Sequence, residues 1–403
     1  MRRLVVAVVA LVLVAGAAGP SVAQPGRAAP RPQMPTSAEP PAVILYTFEV
    51  GSLIFQVFGH AALCLEYDAT RPGAAACFNY GITNYDDGGG LVWGFLRGKQ
   101  QFWVAVERLA TMLRPYQAED RTIWRQRLPL TAAQARAVEA RLWHDVQPEH
   151  RYYYYDHFYD NCSTRLRDIL DEATGGALRE GTTGLRYPMT FREAGGRGLG
   201  PFPAVLAIGD FLVGRALSKT PSGWEAMFLP DVLRHQVEVT FGAAPEVVYQ
   251  RAASKRPWPT DAAPPVSFGR WATALAAIVF ALPLLVARWR RRLQRVALAW
   301  AMVPLLVWGL LIWGTVLISS IPALRWNEAV LVLMPIDVVI PLLGERRRRL
   351  YALGRLALLL LVSLLMVVGV LQQPLWVPIL TAFLPMAIIG FDLPHMTRLP
   401  PRG

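Results

Sequence analysis

The sequence predicts an α+β extracytoplasmic domain followed by an all-α membrane domain of about five helices, and three observations carry this. Short β-branched and aromatic runs separated by Gly, Asp and Pro fill residues 43–128. Helical periodicity begins only after them. Beyond Arg270, charge almost vanishes from long stretches. The 403 residues are 53% hydrophobic and 17% charged, with a formal net charge of +12. That charge would suit a nucleic-acid partner, but its distribution excludes one. From Arg270 onward 14 Arg face 4 acids, Arg2 and Arg3 add two more, and residues 24–269 are left neutral. A neutral domain has no electrostatic footprint for phosphate backbones.

Residues 1–23 read as a signal peptide, with Arg2-Arg3 as charged start, Leu4–Ala15 as apolar stretch and Ser21-Val22-Ala23 as cleavage site. An uncleaved anchor would need a longer apolar run. Residues 24–41, rich in Pro, Ala and Gln, are expected to form a disordered linker. The outward domain then spans 42–265. Its expected strands are 43–48, 60–67, 75–80, 101–107 and 121–128. Asp68–Gly73 reads as a hairpin turn, which brings Cys64 and Cys77 onto neighbouring strands. They form a disulfide or remain two buried thiols; an oxidising compartment favours the bond. Either way Cys162 is left over.

A helix is expected over 131–146, where Thr131 and Gln134 make a capping box. The aromatic run Tyr152 to Tyr155 then leads to Asp160-Asn161-Cys162, where a second helix starts and runs to Gly175-Gly176. Further helices are expected near 203–217 and 224–237.

The membrane domain covers 268–391, with helices expected near 271–287, 296–319, 328–344, 355–371 and 375–391, and a cytoplasmic tail over 392–403. Arg288 to Arg295 follow the first span, and Arg346 to Arg349 with Arg355 follow the third. Such clusters mark the cytoplasmic side, so 24–269 faces outward, as the signal peptide also implies. The expected location is the bacterial inner membrane, with the N-terminal domain in the periplasm. Asp337, between Pro335 and Pro341, is either a functional group inside a span or part of a shallow broken helix that pairs it with backbone or water.

Cys162 falls on the inward face at a helix start. Such a position favours thiolate over thiol, and its N–H groups suit an oxyanion. Asp160 is expected as N-cap, and Asn161 as a hydrogen-bond donor near the reacting carbon. A nucleophilic cysteine needs a base. His60, after Phe58-Gly59, is the best placed; a satisfied strand-end histidine is the plain alternative. His144, His150 and His157 fit no single helix face as metal ligands. No Gly-x-Ser-x-Gly elbow occurs.

Phe58-Gly59-His60, Phe78-Asn79-Tyr80-Gly81 and Tyr155-Asp156-x-Phe158-x-Asp160-Asn161-Cys162-x-Thr164-Arg165-x-x-Asp168 together resemble the outward domain of the bacterial lipoprotein N-acyltransferase (Lnb-type) family over about residues 43–240, with Phe228-Leu229-Pro230 a further shared element. The order of His first and Asn-Cys later is similar to the circularly permuted papain-like fold of NlpC-type and lecithin-retinol-type proteins. The resemblance implies a thiol acyltransferase with Cys162 as nucleophile and His60 as general base. It also implies Asn79 as the group orienting His60, with Tyr80 the alternative. Arg165 either holds a phosphate or glyceryl oxygen or pairs with Asp168 or Asp160. The implied partners are a membrane phospholipid as acyl donor and the N-terminal amine of a diacylglyceryl-cysteine lipoprotein as acceptor. No metal or soluble cofactor is required. A papain-like hydrolase of peptidoglycan peptides or phospholipids, and a non-catalytic membrane-anchored binding module, are the competing readings.

Overall fold

The computed structural model describes residues 32–84, 88–252, 267–290 and 294–393. The expected signal peptide, the first part of the linker and all but the start of the tail lie outside the described residues. The chain divides into two compact units, one of residues 1–189 and 220–260 and one of residues 190–219 and 261–403. The outward domain expected over 42–265 is therefore interrupted, because residues 190–219 pack within the second unit.

In chain order the main elements of the first unit are β1 (Ala42–Phe48), β2 (His60–Glu66), β3 (Ala76–Ile82), α1 (Gly88–Arg97), β4 (Gln101–Arg108), α2 (Leu109–Ala118), β5 (Ile123–Arg127), α3 (Ala132–Asp145), β6 (Tyr152–Tyr154) and α4 (Cys162–Ala173). In the second unit α5 (Pro203–Leu212) precedes the first unit's α6 (Pro230–Phe241) and β7 (Glu246–Tyr249), and the longer helices that follow are α7 (Ser267–Arg290), α8 (Gln294–Ile318), α9 (Glu345–Val367) and α10 (Trp376–Gly390).

All seven strands pair antiparallel in the order β6-β4-β3-β2-β1-β5-β7. Alternation of side chains gives the sheet two faces. Val43, Leu45, Leu63, Leu65 and Phe78 pack with Val138 and Leu142 of α3, Leu166 and Ile169 of α4 and Leu233 of α6. Ile44, Tyr46, Phe48, Cys64 and Cys77 pack on the other face with Leu109 and Met112 of α2. The β2–β3 register sets Cys64 opposite Cys77, and the two are joined as a disulfide. Residues expected as linker lie along α3: Arg136 donates to the carbonyls of Ser37 and Ala38.

Three elements of the first unit depart from expectation. α1 is built on Gly88-Gly89-Gly90 and Gly94, a composition with poor intrinsic helix propensity. α2 contains Pro115, which the last turns accommodate. The helix expected near 224–237 is split, because Leu229 is held extended (φ −88°, ψ 128°) before Pro230.

In the second unit, three helices among the described residues are long and apolar enough to cross a membrane: Trp271–Arg290, Gln294–Ile318 and Glu345–Val367. Trp376–Gly390 is a shorter apolar helix. The span expected over 328–344 is not a regular helix. It forms two 3-10 segments, Glu328–Leu331 and Pro335–Leu342, because prolines at 335 and 341 interrupt α-helical hydrogen bonding. The following helix starts at Glu345 rather than 355. Arg355 is thus not part of a loop cluster but lies buried within α9.

Asp337 is fully buried, and Arg355 forks onto both its carboxylate oxygens at 2.9 Å, while the Tyr351 hydroxyl donates to Oδ1 at 2.7 Å. Its carboxylate partners are therefore side chains of α9. At the opposite end, Glu328 accepts hydrogen bonds from the amides of Gln372 and Gln373. The 190–219 segment fastens there too: Asn327 Nδ2 donates to the carbonyls of Phe211 and Leu212, and Gly214 lies so close to the Trp326 carbonyl that a Cβ would stand 2.0 Å from its oxygen.

Candidate active site

The first turn of α4 positions Cys162. Asn161 is the N-cap, accepting from the Thr164 amide at 2.9 Å while the Thr164 hydroxyl accepts from the Asn161 amide at 2.7 Å. This reciprocal pair satisfies two orphan donors of the helix start. Asp160, expected as the cap, is one residue too early. Its carboxylate instead takes both ends of the Arg165 guanidinium, at 2.6 and 2.9 Å. Arg165 also lies over the Tyr153 ring, 3.8 Å from the centroid. The structural alternative weighed for Arg165 is thus the arrangement present, and both its charge and its planar face are engaged.

Asn161 was expected to donate near the reacting carbon. Its Nδ2 donates instead to the carbonyls of His157, at 2.7 Å, and Phe228, at 2.9 Å. The side chain is buried and holds the aromatic segment 155–160 and the Phe228-Leu229-Pro230 element against the helix start. That second element also lies near Gly59, where a Cβ would stand 3.8 Å from Pro230.

The Cys162 sulfur is half-buried and meets the backbone N–H groups of Ala61, Ser163 and Cys162 itself. These favour thiolate, as expected for a helix start. Burial outweighs them and pushes the thiol above its ordinary value. Gly81 sits at a bulge of β3 with φ +95°, and a Cβ there would come 3.7 Å from that of Cys162. A left-handed backbone beside the sulfur is a place for glycine.

Ala61 immediately follows His60, so the start of β2 is brought to the sulfur. The His60 ring stacks with Phe48 (5.9 Å, 26°) and with Tyr116 (6.1 Å, 10°). Its Nε2 lies 3.3 Å from Asn79 Oδ1, and Asn79 Nδ2 donates to Glu107 Oε1 at 3.0 Å. Burial pushes the imidazole down to about 4, opposed by the Asn79 hydrogen bond and reinforced by the Arg121 charge. Burial also raises the Glu107 carboxyl. Tyr80, the alternative orienting group, points to the other face of the sheet and donates to Asp145 Oδ2 at 2.8 Å.

Sequence reasoning missed three contributors: the Ala61 amide, the Tyr116 ring and Glu107. Only Glu107 left a readable sign. It opposes Cys77 on β4 and so shares a face with Asn79. Asp337 belongs to the other unit. His144 and His150 stack at 4.0 Å, whereas His157 lies against Phe58 and Phe228. Among the described residues no group of His, Cys, Asp or Glu could hold a metal ion.

The start of β2, which bears His60, and the first turn of α4, which bears Cys162, are thus brought together through the Ala61 amide. Apolar side chains lie close by in sequence: Leu53, Ile54 and Phe55, in the turns before His60, are exposed by 48%, 40% and 48%. Comparison with known proteins finds that residues 34–194 match the family described as the Lnb N-terminal periplasmic domain. No curated protein and no solved structure matches the chain.

Proposed function

Residues 34–194 belong to the Lnb N-terminal periplasmic domain family, and from that premise we propose that this membrane protein is a lipoprotein N-acyltransferase working through a Cys162 thioester. One observation carries the reading: the Ala61 N–H meets the Cys162 sulfur, which brings the strand start bearing the oriented His60 to the only free cysteine. The proposed architecture is a permuted papain-like domain, and the proposed topology is five passes in the inner membrane with the broken 328–344 segment as the third.

In the first half-reaction His60 Nδ1 takes the thiol proton as Cys162 attacks an acyl ester carbonyl of a phospholipid. The tetrahedral oxyanion is received by backbone N–H groups at the helix start. On collapse the ester C–O bond breaks, His60 returns the proton to the leaving glyceryl oxygen, and a lysophospholipid departs. In the second, the α-amine of a diacylglyceryl-cysteine attacks the thioester carbonyl, His60 takes its proton, the C–S bond breaks as the amide forms, and His60 returns the proton to the Cys162 sulfur. Splitting the transfer in two lowers each barrier. Exposed Leu53, Ile54 and Phe55 suit a lipid substrate. Bound by Asp160 and stacked on Tyr153, Arg165 supports the shape of the site rather than gripping phosphate.

The test uses the purified full chain with phospholipid labelled in its acyl chain, with and without a diacylated lipopeptide. Transfer predicts a hydroxylamine-sensitive label on the wild-type protein, none on Cys162→Ala, and movement of that label to the lipopeptide amine. Fatty acid release indifferent to the lipopeptide would favour the hydrolase reading. Full function of Cys162→Ala in cells would favour the binding module.

A further inference from the structure

A second site, unconnected with the thiol chemistry, lies within the membrane unit. A cleft of about 640 Å³ opens where the end of α7, the start of α9 and the end of α10 meet. Its charged lining is Arg288, Glu345, Arg346, Arg348, Arg349 and Asp392. Arg288 is paired with Asp392, leaving three guanidinium groups against Glu345. Two of the three are fixed by backbone carbonyls. Arg348 donates to the carbonyls of Ile340, at 3.2 Å, and Leu343, at 2.7 Å, and Arg349 to that of Gly390, at 3.1 Å. Arg346 is exposed.

Guanidinium groups held this way have already lost much of the side-chain freedom that ligand binding would otherwise cost. The placement of Arg along the chain puts this end on the cytoplasmic side. The rest of the lining includes Leu350 and Leu353, exposed on the same face of α9. A soluble anion has no use for that wall, whereas an acyl chain does.

We propose that this cleft binds the phosphate-bearing headgroup of an anionic phospholipid of the inner leaflet, with the lipid chains along Leu350 and Leu353. Basic pockets between membrane helices on the cytoplasmic side are suited to such headgroups. The site is separate from the acyl donor and does not depend on the acyltransferase reading.

The full chain, purified in detergent, is titrated with short-chain phosphatidylglycerol, phosphatidylcholine and inorganic phosphate, and bound lipid is counted by native mass spectrometry. Saturable retention of phosphatidylglycerol at least tenfold tighter than phosphatidylcholine is expected, with no competition from equimolar inorganic phosphate. Arg346→Gln should weaken retention several-fold, and Arg346→Lys should restore most of it. Unfolding temperatures of both variants, measured alongside, identify any loss through misfolding; in that case Arg349→Lys, which keeps the charge but not the fork, replaces them and should also weaken retention. Equal retention of the two lipids overturns the proposal, as does wild-type retention by the folded Gln variant. Competition by inorganic phosphate at equal concentration would leave a free-anion site and overturn the lipid assignment.

Discussion

Asn79 Oδ1 stands 3.3 Å from His60 Nε2, and the opposite atom of the same amide donates to Glu107 at 3.0 Å. A carboxylate only accepts, so the atom facing Glu107 is the amide nitrogen and the atom facing His60 is the oxygen. His60 must then carry its hydrogen on Nε2. Nδ1 is left as the basic nitrogen. One carboxylate thus fixes, through one amide, which side of the imidazole can take a proton.

The consequence for Asn79→Ala is a loss of orientation, not of the base itself. A positioned general base contributes about 10²–10⁴-fold, and a misoriented one should forfeit about ten- to a hundredfold of that in kcat, with KM little changed. The hydrogen bond that His60 donates to Asn79 raises the imidazole. Removing it should therefore move the acidic limb of the pH profile further toward low pH. A merely structural role would lower stability and leave that limb in place.

The pH dependence of the parent protein has a definite sign. His60 is active as a base only when neutral, and burial holds it at about 4 rather than 6.5. Activity should persist well below pH 6.5 and be lost as pH falls through about 4. The thiol, pushed up by burial, should alkylate slowly with iodoacetamide at neutral pH and faster as pH rises. Full-rate alkylation at pH 6 would show a preformed thiolate. His157 is likewise held at about 4 by burial. Below pH 6.5 the unfolded chain takes up protons that neither folded histidine accepts, so stability falls between pH 6.5 and about 4. Unfolding midpoints across that range measure it.

Asn161 carries more of the fold than of the chemistry. Truncation to alanine removes a helix cap worth about 1 kcal/mol. It also leaves the carbonyls of His157 and Phe228 without their shared donor, at about 1–3 kcal/mol for a buried unpaired group. Asn161→Ala should destabilise the folded chain by about 2–4 kcal/mol in denaturant titrations. Asn161→Asp keeps the cap but not the donor, and should lose only the second part.

How much of this was legible in the sequence depended on the range of the interaction. The strands, the Cys64–Cys77 pairing and the start of α4 follow from local alternation, a hairpin turn and a capping pattern, all written within a few residues. His60 is singled out as the base by Phe58-Gly59 and the strand start, and only the family resemblance ties it to Cys162, because nothing local links residues 102 positions apart. Asn161, not Asp160, is the cap because both residue types cap helices well and only the backbone decides which one stands at the boundary. The segment 328–344 is not the helix its apolar composition suggests, because Pro335 and Pro341 decide whether it can be helical. Arg355 looked like a topology signal for the same reason: its charge was counted before its partner was known.

That partner makes the last prediction. With Arg355 5% exposed and Asp337 fully buried, the pair is enclosed within the membrane unit. Removing one member of a buried pair leaves the other uncompensated, at about 3–5 kcal/mol, whereas replacing both with apolar groups of similar volume is often neutral. Asp337→Leu should therefore lower the unfolding temperature of the full chain in detergent sharply, and adding Arg355→Leu should restore most of it. If the ion pair only ties the broken 335–342 segment to α9, the double variant should also regain its rate of acyl transfer. Restored stability without restored transfer would instead give the charges a part in the reaction. That outcome separates the two readings of Asp337, because a purely structural pair is interchangeable with any packing that fills the same space.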